Sequence, residues 1–352
     1  MKILIVDADS TIPNRACCQL NAYWKTKECD ITFLRLGISV YGKSKHHTID
    51  CNGYVRSFIS SIFDTTPQHI EILTGDCIVD CGGTGYDIKK KLPPEIAACK
   101  PDYSIYPDND TTYDFISRGC FRDCDFCIVP QKEGGMHQEV QSVTELIQHK
   151  KIKFLDNNFL GLINHKMFLK ELIALQIPCQ FNQGLDIRLV DDETAKLLQQ
   201  LNYIGEYIFA FDHIEDKKII EEKLAIVKKY ITTPWKIKFF IYCHPKMDIE
   251  SDVLARIEWC KENKVLPYFM RDLSCWQSEN ARTYNDFSAW CNQPGIFKHH
   301  SYREFCLKRR PQPNRVDVFP EWLNGQITPH PTQPILTTSN ILLVRNKVVI
   351  LK

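Results

Sequence analysis

Ser117-Arg-Gly-Cys-Phe-Arg-Asp-Cys-Asp-Phe-Cys-Ile-Val-Pro130 places three cysteines, Cys120, Cys124 and Cys127, in one CxxxCxxC run. Three thiolates at that spacing suit three corners of a cubane [4Fe–4S] cluster. Electron-transfer clusters are held by four cysteines. A triplet therefore leaves one iron without a protein ligand, open to a substrate or cofactor. Structural zinc sites combine two short Cys/His pairs, and no second CxxC or HxxxH lies near this run. A zinc knuckle and three unrelated thiols are the rival readings.

Outward from the loop the chain has a βα rhythm. A strand at Tyr113–Ile116 leads into the cysteines. Strand-like runs recur at Lys153–Leu155, Cys179–Phe181, Tyr207–Phe211, Ile237–Tyr242 and Pro267–Met270. Helical stretches fall between them at Val143–His149 (with Ser142 as cap), Lys166–Leu175, Asp192–Leu201, Asp216–Lys229 and Asp252–Glu262. Six such units fit a partial (β/α)6 barrel of TIM type. In barrels of that kind reactive groups gather at the carboxyl ends of the strands, where a loop after the first strand belongs.

The triplet resembles the signature of the radical S-adenosylmethionine (SAM) enzymes, CxxxCxΦC with Φ aromatic, and Phe126 fills the aromatic position. The resemblance implies a [4Fe–4S] cluster on Cys120, Cys124 and Cys127, with SAM chelated to the open iron and Phe126 near the adenine or the cluster. It implies reductive cleavage of SAM to methionine and a 5′-deoxyadenosyl radical that takes hydrogen from a substrate. A reductant such as flavodoxin or ferredoxin is the implied partner.

Polar groups at the expected strand ends are the further candidates. Phe154-Leu-Asp-Asn-Asn-Phe159 departs from the GGE-like segment that holds the SAM amino group in such barrels. It is similar to the D-x-N-F segment of the class with an N-terminal cobalamin-binding-like domain, through Asp156, Asn158 and Phe159. An ammonium needs oxygen acceptors, which Asp156 and Asn157 or Asn158 supply; an Asx turn is the plainer reading. In Phe181-Asn-Gln-Gly-Leu-Asp-Ile-Arg188, alternation aims Asn182, Gly184, Asp186 and Arg188 to one side. Asp186 and Arg188 then meet the SAM ribose and carboxylate or the substrate, or form a structural salt bridge. Asp212 holds a ribose hydroxyl or caps the next helix. His213, His244 and Arg271 face substrate on position alone.

Residues 1–109 alternate strands at Ile3–Val6, Ile31–Leu36, Tyr54–Phe63 and Ile78–Asp80 with a helix over Asn14–Thr26. That order argues for a small Rossmann-like parallel sheet. The Gly82-Gly-Thr-Gly85 turn stands where radical SAM enzymes with a cobalamin-binding-like domain carry a GG turn. The DxHxxG motif that gives cobalt a histidine is missing, so the domain is a relic or a substrate-binding module, and cobalamin is a cofactor by resemblance of domain order only. A looser comparison is with methylthiotransferases, whose second cluster uses three N-terminal cysteines. Cys17 or Cys18, Cys51 and Cys81 have that spread without the local context.

The length of 352 residues, 44% apolar and 25% charged, is that of a soluble globular protein of about two domains. Sixteen cysteines scattered along the chain are no disulfide framework and fit a reducing cytoplasm. No apolar run reaches membrane-spanning length. The net charge of +1 excludes a global nucleic-acid footprint. Locally, Lys298 to Arg315 sets Lys298, Arg303, Lys308, Arg309, Arg310 and Arg315 against Glu304: a solvated face, or a grip on a phosphate-bearing substrate. Asn285–Phe305 reads as helix broken at Pro294-Gly295, with Trp290, Phe297 and Phe305 as core; Pro329–Pro334 is a stiff connector, and a terminal hairpin joins Ile341–Val344 to Val348–Leu351. The expectation is an α/β chain: a Rossmann-like, cobalamin-binding-like domain (1–109), a radical SAM barrel (110–275) and a C-terminal extension (276–352). A non-catalytic iron–sulfur or zinc-binding sensor or scaffold is the rival function, and a cobalamin-dependent methyltransferase the rival within the class.

Overall fold

Ile3-Leu-Ile-Val6 is apolar at every position, and the fold uses both sides of it. In the computed structural model, which describes residues 1–38 and 45–309, strand β1 (Lys2–Asp7) packs Ile3 and Ile5 against Cys17 and Leu20 of helix α1 (Arg15–Thr26). Leu4 and Val6 pack with Ile49, Cys51 and Ile59 on the opposite face. A strand covered on both faces is the condition for an all-parallel sheet. β1 pairs in parallel with β2 (Asp30–Arg35) on one side and β4 (Arg56–Ser60) on the other, and β4 with β6 (Ile78–Gly82), giving the order β2-β1-β4-β6. Two short strands without a sequence signal, β3 (His47–Asp50) and β5 (Ile70–Leu73), form a separate parallel pair. Helix α2 (Pro94–Ala97) follows.

Of the described residues, Met1–Val140 with Thr144–Leu155 forms one compact unit, and Gln141–Val143 with residues 156–309 forms another. The first also holds β7 (Thr111–Asp114), β8 (Ser117–Arg118), α3 (Val129–Lys132), β9 (His137–Gln138) and β10 (Lys151–Phe154). β7 and β10 pair in parallel and β8 and β9 antiparallel. The helix expected over Val143–His149 is only a 3-10 turn, Val143–Glu145. The amides of Gln148 and His149 donate instead to the Thr112 hydroxyl at 3.1 Å each, so the segment is tied to β7 rather than to its own preceding turn.

The second unit contains α4 (His165–Leu175), β11 (Cys179–Phe181), α5 (Asp192–Gln200), β12 (Tyr207–Ala210), α6 (Lys217–Tyr230), β13 (Ile237–Cys243), α7 (Ala255–Glu262), β14 (Leu266–Arg271), α8 (Ala281–Cys291), α9 (Pro294–His299) and α10 (Tyr302–Arg309). β12, β13 and β14 form a parallel sheet in that order, and Leu185 bridges to Phe209 beside it. α5 is capped by Asp191, whose carboxylate accepts from the Thr194 amide; Asp192 and Glu193 in the first turn suit the helix dipole. Two expectations are corrected. The helix over Asp252–Glu262 is divided into a π-helical segment, Ile249–Leu254, and α7. The alternation read through Asn182–Arg188 stops at Phe181: Gly184 lies at φ +94°, and Ile187–Leu189 is a 3-10 turn. Trp290 and Phe297 are wholly buried and Phe305 nearly so, as core.

The chain is thus mixed α/β with parallel sheets. Among the described residues no helix is long and apolar enough to cross a membrane. The connector, the terminal hairpin and the basic run beyond Arg309 lie outside the described residues.

Candidate functional site

The cysteine loop leaves β8, carries Cys120, Cys124 and Cys127, and ends in α3. Its base is stitched by Glu133, which accepts from Arg118 at 2.9 Å and from the Gly119 amide at 3.1 Å. Gly119 has φ +75°, and a Cβ there would stand 2.3 Å from the Gly135 carbonyl, so only glycine lets the two arms close. The Cys120 amide donates to Gly134 O at 3.3 Å, its sulfur accepts from the Arg122 amide at 3.3 Å, and the Cys127 amide donates to Cys124 O at 2.9 Å. All three cysteines and Phe126 are partly buried. Among the described residues no group of three or more His, Cys, Asp or Glu side chains is drawn together to hold a metal ion. The three thiols stand on one loop whose two arms are joined at its base; by residue type and sequence spacing they are the donors an iron–sulfur cluster takes.

Of the other candidates, Asp156 and Asn158 are buried and Asn157 half-buried, directly after β10 in sequence. The Asn158 side chain makes no capping hydrogen bond to the following turn, Phe159–Gly161. Phe159 is buried and stacks on Phe181 with ring centroids 4.3 Å apart.

The second unit brings Asp186, Arg188 and Asp212 to one polar cluster. Arg188 grips Asp186 through Nε at 2.8 Å and Nη2 at 3.2 Å, and Asp216 through Nη1 at 2.7 Å. The salt bridge foreseen as the structural alternative is therefore present. Asp212 follows β12 and accepts from the Tyr242 amide at 3.3 Å. Its carboxyl keeps some solvent contact but is walled in by protein. Burial pushes it up to about 6, against the opposing pull of Arg256, the Tyr242 amide, His213 and Arg188. Arg256 was missed by sequence reasoning. It is wholly buried, bonds Asp252 at 2.6 Å, and donates to the carbonyls of Phe211 and Tyr242 at 2.9 Å each. Its signal was its place at the i+3 position of the buried stripe Val253–Ile257–Cys260.

His213, His244 and Arg271 stand at the ends of β12, β13 and β14. The His244 imidazole bonds the Lys246 amide at 3.1 Å. Arg271 bonds Asn285 and lies 4.0 Å over the Trp276 ring. Tyr242 donates to Asp272 at 3.0 Å. In the described part of the basic run, Lys298 lies over the Trp235 ring at 5.5 Å.

At the carboxyl ends of β1 and β4 the polar groups are spent on one another. Asp9 accepts from the Ser61 hydroxyl at 2.8 Å and the Ile62 and Phe63 amides at 2.8 and 3.0 Å. The Tyr106 hydroxyl donates to Asp7 at 2.8 Å and accepts from the Asn14 amide at 3.1 Å. Gly83, at φ +88°, lies so close that a Cβ would stand 2.2 Å from Ser61 O. Among the described residues this crevice, the switch point where open parallel sheets take ligands, is lined by these mutually bonded side chains and contains no histidine. Its residues do not fit a corrin with an axial histidine. Nor do the cysteines considered for a second cluster assemble: Cys17 packs on one face of β1, with Cys51 and Cys81 on the other.

Compared with known proteins, the chain matches no protein-family model and no curated protein.

Proposed function

We propose that this protein is a radical SAM enzyme, with Cys120, Cys124 and Cys127 as the ligands of a [4Fe–4S] cluster. The observation that carries the reading is the CxxxCxxC triplet with aromatic Phe126, on a loop fixed at its base by Glu133 and Gly119. When bound, such a cluster supplies the electron that cleaves SAM to methionine and a 5′-deoxyadenosyl radical, which removes hydrogen from the substrate. The chain's own part is to bind, orient and exclude water. Arg188 carries a cationic fork for a carboxylate, held in place by Asp186 and Asp216. Asp156, Asn157 and Asn158 offer oxygen acceptors to an ammonium. Asp212, raised toward neutrality, accepts from a hydroxyl or exchanges a proton near pH 6. Arg256 fixes the backbone from which Asp212 projects.

The finer architecture belongs to this proposal: a Rossmann-like domain over 1–109, a partial (β/α)6 barrel over 110–275 and an extension over 276–352. Strand order and the parallel pairs β7–β10, β12–β13 and β13–β14 support it. The substrate is an unidentified molecule with a C–H bond to activate; the basic run from Lys298 favours one bearing phosphate. Cobalamin has no part in this reading.

The test is anaerobic reconstitution with iron and sulfide, followed by reduction in the presence of SAM. 5′-Deoxyadenosine is expected to form, and Cys124→Ala to lose both the product and the cluster iron. Undiminished product from Cys124→Ala would overturn the ligand assignment, and tightly bound zinc in anaerobically purified protein would overturn the enzyme.

A further inference from the structure

The ends of β13 and β14 hold a pair of thiols that the proposed function leaves unused. Cys243, the last residue of β13, and Cys275, in the turn after β14, are 0% and 1% exposed. The Cys275 thiol donates to the Cys243 carbonyl at 3.4 Å, and the same carbonyl accepts from the Asp272 amide at 2.9 Å. Strand end and turn are thus already held together around the two sulfurs.

We propose that Cys243 and Cys275 form a redox-active dithiol that a hydroperoxide oxidises to a disulfide, tying the end of β13 to the turn Leu273–Trp276. The inference stands on this geometry and does not require the cluster. The turn is a short 3-10 segment at the surface, with Leu273 and Trp276 at 54% and 45% exposure, so lifting it uncovers Cys275. Cys275 is the more acidic of the two: the neighbouring Cys243 thiol and Arg271 lower it against burial and Asp272, whereas Cys275 and burial raise Cys243. The thiolate is the nucleophile in such chemistry.

The step balances. The Cys275 thiolate attacks one peroxide oxygen, the O–O bond breaks, and the departing hydroxide takes a proton to leave as water, giving the sulfenic acid. The Cys243 sulfur then attacks the Cys275 sulfur and the S–O bond breaks. The leaving hydroxide takes the Cys243 proton as a second water. Two thiols lose two electrons in all, and the peroxide gains them. Tyr242 precedes Cys243 and donates to Asp272 at 3.0 Å, and the Asp272 carbonyl accepts from the Cys275 amide at 3.0 Å, so the bond would fix the strand ends beside Asp212 and Arg256.

Tryptic peptides make the test direct, because Phe239–Lys246 and Asp272–Arg282 each carry one cysteine. Full-length protein is reduced, treated with a few equivalents of hydrogen peroxide, alkylated under denaturing conditions and digested without reductant. The expected product is the two peptides linked, lighter by two hydrogens than their sum and separated again by dithiothreitol. Alkylation of both cysteines is lost in parallel. Cys275→Ser removes the linked pair and leaves Cys243 alkylated. Recovery of both cysteines alkylated while other thiols oxidise overturns the proposal, as does Cys275 recovered only as sulfinic acid. The wild-type digest decides the matter even where the variant fails to fold.

Discussion

At the carboxyl ends of β1 and β4, Asp7, Asp9, Asn14, Ser60 and Ser61 are buried and bonded to one another, to nearby amides or to Tyr106. At the ends of β12 and β13 the same kinds of residue are used differently. Arg188 and Asp216 keep 26% and 29% of their side-chain surface in solvent, and Asp212 carries a carboxyl near neutrality beside the buried Arg256. Both regions present acids at the mouths of parallel strands, so residue type alone does not mark a binding site. What separates them is how the hydrogen-bonding capacity is spent. In the first it closes a crevice; in the second it holds charge at a surface that a ligand can reach.

The comparison breaks most readily at Arg256. Arg256→Ala removes the donor to two carbonyls and the partner of Asp252, and an unpaired group in a buried ionic network costs about 3–5 kcal/mol. Urea unfolding is expected to show a loss of that size; a loss below about 1 kcal/mol, the value of an exposed pair, would make the second region as dispensable as a surface.

Asp212→Asn sharpens the contrast through pH. With its native pKa raised from 3.8 to about 6 by burial, the folded state favours the protonated acid. Its contribution is whole below the unfolded value and is lost as pH rises through 6. The amide, which keeps the shape without the charge, is expected to be more stable than the parent by up to about 3 kcal/mol at about pH 7.5, with no gain at about pH 4. A gain independent of pH would deny the buried charge.

Tyr106→Phe probes the other region. It takes one hydroxyl from Asp7 and from the Asn14 amide, a cost of about 1–3 kcal/mol for buried partners. Thermal unfolding is expected to shift while SAM cleavage per folded molecule stays unchanged. A loss of cleavage without loss of stability would assign the first crevice a role in the reaction.

Much of this was legible in the sequence where one signal acted alone. Ile3–Val6 could only be a doubly covered strand, and Asn14 marked the start of α1. Strands β12, β13 and β14 were bounded to within a residue or so by their apolar runs. What could not be read depended on partners distant in sequence. The Val143–His149 helix is lost to the Thr112 hydroxyl on another strand, and β3 and β5 exist only because each supplies the other's hydrogen bonds. The row Asn182–Arg188 looked like a strand because alternation does not show that Gly184 turns the chain at positive φ. At the site, the cysteine triplet and the Asp186–Arg188 pair were visible as motifs, whereas Arg256 and Glu133 belong to no motif and take their roles from partners brought in by the fold.

The central claim is that three cysteines leave one iron of a cube open to SAM. Electron paramagnetic resonance of the reduced, reconstituted protein, with and without SAM, tests it most directly. The account predicts a [4Fe–4S] signal whose g-values move when SAM is added, because the cofactor enters the coordination sphere of the open iron. A signal unmoved by saturating SAM, or a reconstituted protein with no cubane signal at all, would contradict it.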